Sequence, residues 1–237
     1  MAKSSIIAKA VRKGAAMATT SGKGDLQGAV LFDFGGVLAE EGFREGLKEI
    51  ARRRALDPEE FYQLGAAAVY ESGYVTGEGS ESDFWEAMCR KSSLVSYEEW
   101  FTREILQGFV LRPRMLAVAD ELRRKGLVVA ILSDQTDWLD QLDARDHFFQ
   151  QFDRIFNSYY LGKGKRDPSL FDDVVRTLDI SAPKVLFVDD NEGHVERARS
   201  RGLKAMLFRD EKTFLSELTA TLRFNSPSHA GSHEEDI

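Results

Sequence analysis

Five short, nearly unbroken apolar runs punctuate the chain: AVLFDF (29–34), LVVAILS (127–133), RIFNS (154–158), KVLFVDD (184–190) and KAMLF (204–208). None alternates apolar with polar, as a half-exposed strand would. Continuous runs suit parallel strands covered on both faces. Helical periodicity fills the gaps between the later runs, in RMLAVADELRRKG, DPSLFDDVVRTLD and EGHVERARSRG. The last two strands stand one helix apart, as a right-handed βαβ crossover requires. The pattern predicts an α/β fold, a doubly wound parallel sheet whose ligand site lies beyond the carboxyl ends of its strands.

One interval breaks the rhythm. Residues 39–112 contain no strand-like run, and four segments there are helical in pattern: FREGLKEIARRRA, DPEEFYQLGAAAVYESG, SESDFWEAMCRK and SYEEWFTREIL. DPEEF and SYEEW each open on an N-cap residue followed by glutamates. An all-helical module is therefore expected just after the first strand. It either closes over a small substrate and excludes water, or only pads the fold. The expected division is an extension at 1–27, a core from 28–38 and 113–224, the helical insert at 39–112, and a polar tail at 225–237.

Composition narrows the partners. The net charge of −7, with acids and bases interspersed, argues against a nucleic-acid-binding face. No apolar run is long enough to span a membrane. The single cysteine, Cys89, excludes an internal disulfide and fits a cytoplasmic protein, and its helical setting suggests a small hydrophobe. Residues 1–27 are basic and Ala/Ser/Gly-rich like a transit peptide, although a loosely ordered extension explains them as well. His229 and His233 are four apart in the tail, but Pro and Gly there oppose a helix that would pair them. Monomer and homodimer are equally open.

The chemistry lies at the strand ends. The first strand ends in Asp33, followed by Gly35 and Gly36; the second ends in Ser133, followed by Asp134. LGKGKRDP follows the third with Lys163 and Lys165, and the fourth ends in Asp189 and Asp190. Singly, each is as well explained as a helix cap or a solvated charge. Together they place three carboxylates, a hydroxyl and an ammonium on one sheet edge. The carboxylates would repel one another unless a divalent cation lay between them, and oxygen donors favour Mg²⁺.

In order and spacing these elements resemble the haloacid dehalogenase superfamily, with its Rossmann-like core and helical cap. The resemblance runs from about Leu31 to Leu207, through LFDFGGVL, AILSD, GKGKRDPSLF and the acidic pair in FVDDN. It implies a Mg²⁺-dependent phosphatase acting on a small phosphorylated metabolite, sugar phosphates among them, through an aspartyl-phosphate. Asp33 would be the nucleophile. Asp33, Asp190 and the Gly35 carbonyl would hold the metal, while Asp189 acts through water or orients the site. Ser133, Asp134, Lys165 and the backbone at Gly35 and Gly36 would meet the phosphoryl group.

Four positions depart from the family pattern, one of them Asp134, which stands where Asn is common after the serine. Gly35 stands where such phosphatases usually carry a second aspartate as general acid and base. Arg166 replaces the usual proline after the lysine, and His194 stands where Asn is frequent, with a capping or surface role expected for it. The missing aspartate keeps two alternatives open. One is a 2-haloacid dehalogenase, which also lacks it but does not need the acidic pair; the other is a weakly catalytic binding or regulatory protein. Tyr70, Tyr74, Phe84 and Trp85 are candidates for the pocket or for the core of the insert.

Overall fold

The computed structural model describes residues 12–13 and 28–224. The tail with His229 and His233 lies outside them, as does the 1–27 extension apart from residues 12–13. Strands β1 (Arg12–Lys13), β2 (Ala29–Phe32), β3 (Val128–Ser133), β4 (Arg154–Asn157), β5 (Val185–Asp189) and β6 (Lys204–Leu207) form one sheet, in the order β1-β4-β3-β2-β5-β6. β2 to β6 are parallel. One departure from expectation lies at the edge: Arg12–Lys13, placed by sequence in a loosely ordered extension, pairs antiparallel with β4.

The continuous apolar runs follow from burial on both faces. Val30, Phe32, Val129, Ile131, Leu186 and Val188 point into one core, while Leu31, Ala130, Leu132, Val185 and Phe187 point into another. The first is covered by α5 (Pro113–Arg124), α6 (Trp138–Asp146) and α10 (Glu211–Phe224); the second by α8 (Ser169–Leu178) and α9 (Glu192–Ser200). A short helix, α7 (Ser158–Leu161), follows β4. The patterns of α6, α7 and α10 had not been read from sequence. α6 is only weakly amphipathic: Trp138, Leu139 and Leu142 are buried, and Asp, Gln, Ala and Arg fill the rest.

From β2 the chain steps outward through β3 to β4, then recrosses to β5 and β6. The order therefore reverses between β2 and β5, where helices leave opposite faces and open a crevice at the strands' carboxyl ends. Asp33 and Asp189 stand on either side of that point.

Between β2 and β3 lie α1 (Gly42–Arg53), α2 (Pro58–Glu71), α3 (Glu81–Lys91) and α4 (Glu99–Gly108). The chain leaves and returns side by side: Glu40 N donates to the Val110 carbonyl at 2.8 Å, and Arg112 N to that of Leu38 at 2.8 Å. α1 and α4 pack at close range because Gly46 has no side chain; a Cβ there would lie 2.5 Å from the Ile105 Cα. Asp57 caps α2 as expected, accepting from Glu60 N at 2.7 Å. SYEEW behaves differently. Ser96 caps nothing, and α4 starts at Glu99, because the Tyr97 ring stacks on Trp85 and its hydroxyl meets Thr102, holding the chain extended. Among the described residues no helix is long and apolar enough to cross a membrane.

Candidate active site

β2 ends on Phe32, and Asp33 N continues its ladder to the Val188 carbonyl at 2.9 Å. The chain then turns: Leu38 and Ala39 N–H groups both return to the Phe34 carbonyl, and Gly36 takes φ +80°. Only glycine fits there. Besides the left-handed backbone, a Cβ on Gly36 would lie 2.3 Å from Asp190 Oδ2. Phe34 N donates to Asp33 Oδ1 at 2.7 Å, leaving Oδ2 to Lys165.

Lys165 is the hub. Its ammonium lies 2.8 Å from Asp33 Oδ2 and 2.6 Å from Asp189 Oδ2, with its side chain only 1% exposed. Its N–H donates to Asp134 Oδ1 at 2.7 Å, which fixes the loop that carries it. Burial opposes the ammonium's charge, but Asp189, Asp33 and Asp134 outweigh it and hold its pKa above the ordinary lysine value. Asp189 is pulled below its usual range: burial works against it, and Lys165 and His194 prevail. Asp33 goes the other way, raised by burial and by Asp189 and Asp190 against the opposing pull of Lys165. Asp190 is raised by burial and by Asp189.

The acids therefore outnumber the cation among them. One carboxylate oxygen from each of Asp33, Asp189 and Asp190 lies within 4.8 Å of the others. One ammonium leaves this cluster with excess negative charge, which an oxygen-loving divalent cation would neutralise. The donor set thus fits such a cation.

A cavity of about 440 Å³ opens above these residues. Of the expected site residues, Asp33, Gly35, Ser133, Asp134, Lys165 and Asp190 line it. Gly36 and Asp189 do not. Gly36 backs Asp190 and gives its carbonyl to Arg112, and Asp189 is fully buried beneath the floor. Lys163 turns away to Asp173 and Ser169. His194 departs from expectation: Asn191 caps α9, while the His194 ring lines the cavity with Nδ1 3.3 Å from Asp189. Of the four aromatic candidates, Tyr70 lines the cavity and donates to Asp134 Oδ2 at 2.6 Å; Tyr74, Phe84 and Trp85 are core. Cys89 is half-buried away from the site, and burial pushes its thiol up.

Sequence reasoning missed Glu41 and three arginines. A Cβ on Gly35 would lie 3.1 Å from Glu41 Oε2, so this carboxyl reaches the place a side chain at 35 would enter. Among the described residues its carboxylate accepts a single long hydrogen bond, 3.5 Å, from Arg44 N. Burial and then Asp190 push Glu41 up to about 7. The sequence offers Glu40 and Glu41 side by side; only the fold turns Glu40 outward to Arg112, at 2.9 Å, and Glu41 inward. Arg44, Arg166 and Arg197 also line the cavity.

A carboxylate–lysine–carboxylate cluster at the switch point of a doubly wound sheet, beneath inserted helices, defines a hydrolase of the aspartate-centred α/β type. The chain belongs to the haloacid dehalogenase-like hydrolase family, whose model matches residues 28–200. It is 32% identical over 146 residues to rat (Rattus norvegicus) bifunctional epoxide hydrolase 2, covering 55% of this chain but only 26% of that protein. A phosphatase of Mycobacterium tuberculosis (strain CDC 1551 / Oshkosh) is 26% identical over 76% of this chain and 86% of its own. In fold, the chain is similar to a family enzyme of Bacteroides thetaiotaomicron solved with magnesium and inorganic phosphate. The TM-score is 0.61 at 20% identity, covering 79% of this chain and 98% of that one.

Proposed function

We propose that the protein is a Mg²⁺-dependent phosphatase that cleaves a small phosphorylated metabolite through an aspartyl-phosphate on Asp33. The observation that carries this reading is the Lys165 ammonium held between Asp33 and Asp189 at 2.8 and 2.6 Å, with Asp190 alongside. The relative named as a phosphatase and the fold neighbour solved with magnesium and phosphate support it. The acidic pair speaks against a 2-haloacid dehalogenase, which has no use for it.

In this reading the helices of 39–112 form a cap over the core. Asp33, Asp190 and the Gly35 carbonyl would hold Mg²⁺, with Asp189 oriented behind them by Lys165. When bound, the cation neutralises the carboxylates and the charge on the phosphoryl oxygens. Lys165 aims Asp33 Oδ2 at phosphorus, and the P–O bond to the leaving group breaks as the Asp33–P bond forms. Ser133 and the backbone amides after Asp33 hold the phosphoryl oxygens. Glu41 gives its proton to the departing oxygen, then takes one from the water that attacks the aspartyl-phosphate at phosphorus as the Asp33–phosphorus bond breaks and frees the carboxylate. This restores acid–base chemistry at a site whose Gly35 has none. The product is inorganic phosphate and the free alcohol.

The test is phosphate release from a panel of phosphorylated metabolites with and without Mg²⁺, beside Asp33→Asn. Activity that needs Mg²⁺ and vanishes in Asp33→Asn is the expected result. Turnover surviving that change, or chloride release from 2-chloropropionate without metal, would overturn the reading.

A further inference from the structure

Three guanidiniums line the cavity with no carboxylate in ion-pair contact. Arg44 comes from α1, Arg166 follows Lys165 and Arg197 comes from α9. Several arginines elsewhere are paired: Arg53 with Glu49 and Glu104, Arg112 with Glu40, Arg123 with Asp153 and Arg201 with Asp172. Among the described residues these three form no ion pair. Arg44 lies over the Tyr62 ring, 5.3 Å from its centre, and Arg166 lies over Tyr70 at 3.5 Å. Stacking of this kind holds a guanidinium in place while its in-plane N–H groups stay available to a carboxylate or phosphate.

Two of the cavity's other charges are engaged already, while Glu41 and Asp190 add negative charge that acts on Arg44. Lys165 serves Asp33 and Asp189, and Asp134 accepts from Lys165 N and the Tyr70 hydroxyl. In the reading above, the scissile phosphoryl group is held by Lys165, Ser133 and backbone amides. A monoester whose leaving group is a neutral alcohol would leave the three arginines unused. Asp33 is 8% exposed on the floor, whereas Arg44 and Arg197 are half-buried and Arg166 is exposed, nearer solvent. Ala66, Val69 and Val75 form an apolar stretch of the wall that suits a short carbon skeleton.

We infer that the substrate carries a second anionic group, a carboxylate or a phosphate, on its leaving portion, and that Arg44, Arg166 and Arg197 bind it. This rests on the phosphatase reading and names the substrate class for that site. The arginines are specificity-determining residues and take no part in bond breaking.

The experiment compares three Mg²⁺-loaded substrates: sn-glycerol 3-phosphate, 3-phosphoglycerate and fructose 1,6-bisphosphate. A second anion held by guanidinium is expected to raise kcat/KM at least about tenfold over glycerol 3-phosphate. Whichever of the other two gains more separates carboxylate from phosphate. Arg44→Gln, Arg166→Gln and Arg197→Gln should each narrow that ratio several-fold, and Arg→Lys should restore part of it. Isothermal titration of the same ligands into Asp33→Asn reads the same ranking as Kd without turnover. Equal Kd values for all three, or a ratio unmoved by every Gln variant, overturns the inference. Hydrolysis of p-nitrophenyl phosphate, whose leaving group carries no second phosphate or carboxylate, tests the phosphatase reading separately. If it fails, the Kd ranking still decides this one.

Discussion

Asp33 illustrates how little a residue type says by itself. A strand-end aspartate is often a helix cap, yet here it is buried against Lys165 and two more acids. Gly36 is a sharper case. Its left-handed φ and the 2.3 Å approach of Asp190 to any added Cβ mean that Gly36→Ala must displace Asp190. That variant should lose Mg²⁺-dependent turnover by about a hundredfold or more, with weakened Mg²⁺ binding on titration. Wild-type Mg²⁺ affinity in Gly36→Ala would refute the argument. Glu41 makes a second prediction at this scale. Glu41→Gln removes the proposed proton donor, worth roughly two to four powers of ten where the leaving group is a poor one. Alkyl phosphates should therefore suffer far more than p-nitrophenyl phosphate in the step that forms the aspartyl-phosphate. An equal loss on both would show a merely structural carboxyl.

At the scale of elements, the insert is tied to the core through Tyr70 on α2. Its hydroxyl meets Asp134, which also holds the Lys165 backbone, and Arg166 covers its ring. Tyr70→Phe removes one charge-assisted hydrogen bond, about 1.5–3 kcal/mol where the partner is ionised. KM for a phosphorylated substrate should rise several-fold, with the larger effect on KM than on kcat. A variant with wild-type KM would mean that this hydrogen bond does not position α2 for binding. This link could not be read from sequence, because Tyr70 and Asp134 are 64 residues apart and neither pattern points to the other. The five parallel strands were legible within one or two residues, since burial on both faces writes a continuous apolar run. The start of α4 was not, because the tertiary stack of Tyr97 on Trp85 overrides the cap signal of Ser96.

For the whole molecule, clustered acids make stability depend on pH. Glu41 is raised from 4.5 to about 7, and Asp33 and Asp190 are raised with it. A carboxyl whose folded pKa exceeds its unfolded value contributes stability in full below the unfolded value, and that contribution is lost as pH rises through the folded one. The metal-free protein should therefore lose thermal stability between about pH 4.5 and 7, on the order of 5 °C from Glu41. Glu41→Gln should flatten that part of the curve. Asp189 acts in the opposite sense, its contribution lost only on acidification through its lowered pKa. Thermal melts of both proteins across this range without metal check the point; parallel curves would contradict it.

The amino-acid sequence by itself determined the parallel α/β core, the helical insert after β2 and the strand ends that carry Asp33, Ser133, Lys165, Asp189 and Asp190. These are local matters: apolar runs set strands, helical periodicity sets helices, and chain topology sends the strand ends to one edge. Only the tertiary structure decided that Lys165 bridges two aspartates, that His194 faces the acidic pair, that Glu41 fills the approach to Gly35, and that three arginines meet in one cavity. Those are side-chain orientations from distant segments. Burial and charge balance select them only after the sheet and the inserted helices have packed.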